Sequence, residues 1–173
     1  MLAATAPLAL LADIVTKQLA VSALEHREPV RLLGGAVYLV LIRNSGAAFS
    51  LGTGYTFVFP LITVLVVGWI GWTARRLRSV PWALALGLVL GGALGNLTDR
   101  IFRAPGPFVG HVVDFISVFD DGGQVFPVFN VADSALCVGV ALAVLLELTG
   151  RRVDGTRARR DDDRVAVSDS AGG

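Results

Sequence analysis

The sequence predicts an all-α integral membrane protein, with four transmembrane helices and a small extracytoplasmic β-sheet formed by the outer loops. Three observations carry this. Of 173 residues, 54% are hydrophobic and only 17% charged, too apolar for an ordinary soluble domain of this size. Four windows, Leu2 to Leu24, Tyr55 to Ala74, Val80 to Thr98 and Phe129 to Thr149, reach the about 20 largely apolar residues that a spanning helix needs. The connections alternate: loop 25–54 is long, Arg75 to Ser79 is very short, and loop 99–128 is long again.

The first span contains Asp13 and Lys17 and lacks a basic stretch before it, so it reads as a retained helix rather than a cleaved secretory signal. No Arg or Lys precedes Lys17, unusual for a helix entering from the cytoplasm and compatible with residues missing upstream. Within loop 25–54, Gly35 to Ile42 is a β-rich run bounded by glycine, and Gln124 to Phe129 is its expected partner strand. Spans two and three form a tight hairpin, flanked by Trp69, Trp72 and Trp82 at the expected headgroup level. Gly87, Gly91 and Gly95 in span three recur every four residues, a small-residue stripe that lets another helix approach closely. Cys137, in span four, reads as a small buried hydrophobe; a single cysteine excludes an internal disulfide.

Orientation follows from the arginines. Arg75, Arg76 and Arg78, with Arg151, Arg152, Arg157, Arg159, Arg160 and Arg164, mark the cytoplasmic side and place both termini there. A net charge of +1 gives no basic field for nucleic acid. Residues 1–150 form the membrane domain; 151–173, alternating Arg and Asp before a Ser, Ala and Gly end, carry too little apolar surface to fold and read as a disordered cytoplasmic tail.

The informative residues are polar ones where a span should be apolar: Asp13, Lys17, Asn96, Asp99, Asn130 and Asp133. An ionisable group at the bilayer centre costs at least ~2.5 kcal/mol, so such groups face a cavity or a partner. With helices one and three running outward and helix four inward, all six converge near the outer boundary; Glu147, at the opposite end, snorkels into the headgroups. Asp13 and Lys17 are an i,i+4 pair, which a purely structural ion pair would equally explain. Asp114 and Asp133 lie nineteen residues apart. Two carboxylates sharing a site cannot both ionise cheaply, which is what water-mediated hydrolysis by an aspartic dyad needs. Spacing alone does not distinguish this from any two aspartates of a folded chain. His111 has only His26 as a possible companion, which argues against zinc, and Ser134 lacks a base. A small transporter or proton channel is the rival reading, but a pathway places ionisable groups along its whole depth. A scaffold subunit with structural polar pairs is a third.

Five segments together resemble the lipoprotein signal peptidase (signal peptidase II) family: Asp13 to Lys17, Arg43 to Ser50, Gly91 to Arg100, His111 to Phe115, and Phe129 to Ser134. The resemblance runs from residue 13 to about residue 149. It implies an aspartic endopeptidase of the bacterial cytoplasmic membrane, with Asp114 and Asp133 as the catalytic dyad and no metal or organic cofactor. It further implies substrate positioning by Asn44, Asn96, Arg100 and Asn130, with Asp13, Lys17 and Asp99 supporting the polar cluster. The implied substrate is a prolipoprotein carrying a diacylglyceryl-modified cysteine, cut just before that cysteine. Membrane lipids are the other expected partners, and the chain is expected to act as a monomer. Two departures stand out: the link from Ile101 to Gly110 is longer than in many members, and the charged tail is extra.

Overall fold

The computed structural model describes residues 1–46 and 58–158, with side chains from residue 60 in the second segment. Four helices follow in order: α1 (Leu2–Leu24), α2 (Val58–Ala74), α3 (Val80–Phe102) and α4 (Val131–Leu148). Three of them, α1, α3 and α4, are long and apolar enough to cross a membrane. The 17 residues of α2 rise about 26 Å, short of the roughly 30 Å hydrocarbon core. Start signals are local. Pro81 sits in the first turn of α3 behind Ser79, where its missing N–H costs nothing, and Asn130 caps α4.

Helix α3 is the centre of the bundle, packing against α4 and α1 extensively and against α2 less. Its most apolar 18 residues are 56% buried, against 22% for α1 and α4, so the outer helices are the ones left facing lipid. Leu8, Leu11, Leu61, Leu65 and Val144 are accordingly exposed, while Lys17 is among the most buried side chains. The glycine stripe explains the close approach. A Cβ on Gly87 would meet Thr5, one on Gly91 would meet Ala6 and Ala9, and one on Gly95 would meet Asp13, so the stripe is the seam with α1. Gly92, on the adjoining face, meets Ala132 and Leu136 of α4.

The connections build a three-stranded antiparallel sheet in the order β1 (Val30–Leu32), β2 (Val37–Asn44), β3 (Val112–Val118). The strand expected over Gly35 to Ile42 is therefore present as β2. Its partner is 112–118 rather than 124–129, which contributes only one bridge, Phe129 opposite Ile116. Asp120 explains the difference: its carboxylate accepts the backbone N–H groups of Gly122, Gln124 and Val125, curling this stretch into a turn. A bulge between Leu39 and Ile42 shifts the β2–β3 register, so that Ile42 faces Asp114 and Asn44 faces Val112. Bulges re-aim side chains, and here Asn44 comes diagonal to Asp114. On one side of the sheet, Val113 and Phe115 pack on Ala20 and Leu24 of α1.

The long link 101–110 doubles back on the end of α3. Gly110 N donates to Arg100 O (3.1 Å) and His111 N to Ala104 O (3.0 Å). A Cβ on Gly110 would lie 2.5 Å from Asp99 O and 2.6 Å from Arg103 O, so only glycine fits where the chain crosses α3. The extra residues thus return β3 to the helix they left.

Three further expectations are corrected. Trp82 is buried and donates Nε1–H to Arg151 O at 2.8 Å, whereas Trp69 and Trp72 are exposed as expected. Cys137 is exposed rather than buried, on the outward side of α4. The first residues of the expected disordered tail form a turn: Val153 O accepts from Arg78 N and Ser79 N, Ala158 N donates to Gly150 O, and Val153 packs on the cluster of Ile70, Trp82 and Leu86. Residues 159–173 lie outside the described residues.

Candidate active site

The polar residues singled out in the spans are joined by one continuous set of contacts, and two strand residues, Asn44 and Asp114, complete it. Asp114 enters from β3, only 2% exposed. Its Oδ2 accepts from Asn44 Nδ2 at 2.8 Å and its Oδ1 from Asn130 Nδ2 at 2.6 Å. Asp133 enters from the first turn of α4, half-buried. Its Oδ1 accepts from Asn96 Nδ2 at 2.8 Å, and its Oδ2 from the backbone N–H of Asn130 at 3.1 Å.

Asn130 is the hinge between the two carboxylates. It caps α4, its Oδ1 accepting Asp133 N at 2.9 Å, and with Asp133 it closes a capping box. Its amide nitrogen also contacts Val113 O and Asn96 Oδ1, each at 3.2 Å. The four residues from Asn130 to Asp133 thus start a helix and set one aspartate toward the other in the same turn.

Behind Asn96 lies a buried charged cluster. Lys17 Nζ reaches Asn96 Oδ1 at 2.9 Å, Asp13 Oδ2 at 2.8 Å and Asp99 Oδ2 at 3.0 Å. Asp13 Oδ1 accepts Ala132 N at 2.9 Å, directly before Asp133. Asp99 Oδ2 accepts Val113 N at 3.0 Å, directly before Asp114, and Asp99 Oδ1 pairs with Arg103 Nε. The Asp13 and Asp99 carboxylates therefore face the buried Lys17 charge, and the Arg103 guanidinium balances the second of these two acids, as desolvated ions require. Asp114 and Asp133 are each held, through the backbone N–H of the preceding residue, by one of these two acids.

Burial pushes the Asp114 carboxyl up to about 6; the Asn44 hydrogen bond pulls it down, the neighbouring Asp133 charge adds to the rise, and the Asn130 bond pulls it down. Asp133, more open, is the one water reaches more readily. Arg100 is buried and donates Nη1–H to Gly110 O at 3.0 Å, holding the link to α3. Beside Asn96 and Arg100, a cleft of about 330 Å³ opens between α2, α3 and α4, walled by apolar side chains including Val66, Ala93, Leu97 and Leu136.

Asn44, Asn96 and Asn130 bond the two aspartates themselves. Among the described residues, His111, Cys137 and the acids form no group of three that could hold a metal ion. Sequence reasoning missed Arg103, which its i,i+4 spacing from Asp99 would have revealed, and Gly110, whose role depends on the chain crossing. Of the first long connection, residues 47–54 lie outside the described residues.

A family model for signal peptidase (SPase) II matches residues 5–149. A lipoprotein signal peptidase of Mycobacterium tuberculosis (strain ATCC 25618 / H37Rv) is 51% identical over 162 residues, covering 94% of this chain and 78% of that protein. One of Rhodococcus jostii (strain RHA1) is 55% identical over 145 residues, covering 84% and 71%. Among solved structures, a bacterial membrane enzyme determined by the in meso method at 1.9 Å resolution is similar with a TM-score of 0.71 and 29% identity, over 83% of this chain and 90% of that one. The match spans the helices, the sheet and both aspartate-bearing segments, and on it the chain belongs to the signal peptidase II family.

Proposed function

We propose that this protein is an intramembrane aspartic endopeptidase that removes the signal peptide from diacylglyceryl-modified prolipoproteins, cutting just before the lipidated cysteine. The four apolar windows, Tyr55 to Ala74 for the one that contains α2, are the membrane spans, both termini face the cytoplasm, and the site lies near the outer face. The observation that carries the reading is the double use of Asn130, which bonds Asp114 through its side chain and Asp133 through its backbone, so that two acids from distant segments share one site.

Asp114 carries the proton and Asp133 is the base. Asp133 takes a proton from a water lying between the carboxyls, and the hydroxide forms a bond to the scissile carbonyl carbon while Asp114 protonates the carbonyl oxygen. The tetrahedral diol then collapses: the C–N bond breaks, the proton gained by Asp133 passes to the leaving nitrogen, and a diol hydroxyl returns its proton to Asp114. No other reactant is consumed. The elevated Asp114 carboxyl supports its role as acid. The apolar cleft beside Asn96 suits the hydrophobic part of a signal peptide, and acyl chains fix the substrate's depth so that the bond meets the dyad at high effective concentration.

The test is Asp114→Asn and Asp133→Asn, each purified and folded, assayed on a diacylglyceryl-modified precursor. Each is expected to lose at least about 10³-fold in rate, since the carboxylates act as a unit. Full activity in either variant removes the mechanism.

A further inference from the structure

At the opposite end of α3, about 25 Å along the helix from Asn96, a second cavity of about 430 Å³ lies between the α2–α3 loop and the turn after α4. Four arginines line it: Arg78 from the loop, and Arg151, Arg152 and Arg157 from the turn. We propose that this cavity is a binding site for the phosphate headgroup of an anionic phospholipid.

The folding of the turn makes the case. Arg151 and Arg157 face each other across an antiparallel bridge, where like charges directly opposite are destabilising. Val153 O, accepting from Arg78 N and Ser79 N, draws the third strand of chain and its arginine into the same place. Yet among the described residues none of the four makes a salt bridge. Asp154, the one acid of the turn, spends its Oδ1 on Thr156 N and Oγ1, at 2.9 and 2.7 Å. The Asp154 charge also acts on Arg152 without a salt bridge, so four arginines against one acid leave an excess of positive charge, gathered by neutral hydrogen bonds, for an anion from outside. Ser79 and Val80 at the amino end of α3 also line the cavity, and Ser79 makes no side-chain capping bond, leaving the positive end of the helix open toward it.

The surroundings select a lipid over a free anion. Val80 and Leu84 are exposed beside the cavity, and Trp69 and Trp72 are exposed at the same end of α2, with the Arg76 guanidinium over the Trp72 ring. Exposed indoles mark the headgroup level, and basic pockets between membrane helices take lipid phosphates. The site is independent of the peptidase reading, since it shares no residue with it.

The test measures binding of phosphatidylglycerol, with phosphatidylcholine as the neutral comparison, to the purified full chain in detergent by native mass spectrometry and thermal shift. Phosphatidylglycerol is expected to be retained preferentially and to raise Tm. The double variant Arg151→Gln/Arg157→Gln should bind it about 30-fold more weakly, at about fivefold per arginine. Arg75→Gln/Arg76→Gln, equal in charge change but outside the cavity, should lose several-fold less affinity than the cavity double. Equal losses in both doubles overturn the site in favour of diffuse surface charge. A Tm rise with inorganic phosphate matching that with the lipid overturns the lipid assignment. Binding that emerges only when Asp161, Asp162 and Asp163 are changed to Asn makes the chain's own acidic run the occupant, and also overturns it.

Discussion

Replacing Gly95 with alanine adds one methyl group, and the geometry says where it goes: 2.5 Å from Asp13 Oδ2, 3.0 Å from Asp13 Cγ and 3.3 Å from Ala132 Cβ. An ordinary carbon–oxygen contact needs Asp13 to retreat by about 0.9 Å. Asp13 cannot swing freely, because Oδ2 pairs with Lys17 and Oδ1 holds Ala132 N. Overpacking costs about 1–3 kcal/mol and a lost bond to a charged acceptor about 1.5–3, while alanine returns about 1 through helix propensity. Gly95→Ala should therefore be destabilised by about 1.5–5 kcal/mol. Both routes from Asp13 end at Asp133, one through Ala132 and one through Lys17 and Asn96. A misplacement near 1 Å costs about 100-fold in rate, so cleavage should fall by that factor even where the protein remains folded. The assay pairs denaturation in lipid nanodiscs with turnover of a lipidated precursor below the unfolding range. Gly68→Ala is the internal standard, because nothing lies within 4 Å of its added carbon; it should cleave at the native rate. If Gly95→Ala matches Gly68→Ala in both measurements, the charged cluster does not hold Asp133 and the account of the site is wrong.

Two more outcomes follow from the same contacts. In the proposed mechanism Asp114 carries a proton, and its carboxyl is raised to about 6, so kcat/KM should fall about tenfold per pH unit above that value. The Asn44 bond favours the ionised form; Asn44→Ala removes it and should move this alkaline limb to higher pH, and a limb moving lower would reverse the role given to Asp114. Asn130→Ser keeps a hydroxyl that can cap α4 but is too short to reach Asp114. Both it and Asn130→Ala lose the buried amide bonds to Asp114, Asn96 and Val113, at about 1.5–3 kcal/mol for the charged acceptor, and Asn130→Ala should lose about 1 kcal/mol more with the cap; both should cleave poorly, and an active Asn130→Ser chain would show that the bridge between the acids is dispensable.

The helices were readable from hydropathy because a bilayer tolerates few alternatives to apolar runs of that length. Three match the expected windows within a few residues; the described part of α2 is shorter, beginning three residues after the expected Tyr55. The glycine stripe was also legible, since spacing of four places Gly87, Gly91 and Gly95 on one face whatever lies opposite. β3 was harder to read. Val112 to Val118 is buried along most of its length, with an aspartate in the middle, so neither alternation nor an unbroken apolar run announces a strand. The bond from Asn44 to Asp114 was beyond the reach of local pattern, because it depends on a bulge and on pairing across about seventy residues of chain. Composition misjudged the start of the tail for a similar reason: its turn is held by carbonyl groups, by the Trp82 indole and by one apolar side chain, Val153.

The capping box at Asn130 and Asp133 has a consequence for depth. A reagent carried halfway along a helix would ride up and down as that helix tilted to suit thicker or thinner bilayers. Here the acid is indexed to the residue at which the chain enters α4, and that residue is moored to the sheet by Phe129 and by the Val113 carbonyl. Adjustments to lipid thickness can be absorbed at the far end of the helix, leaving the two acids in mutual register.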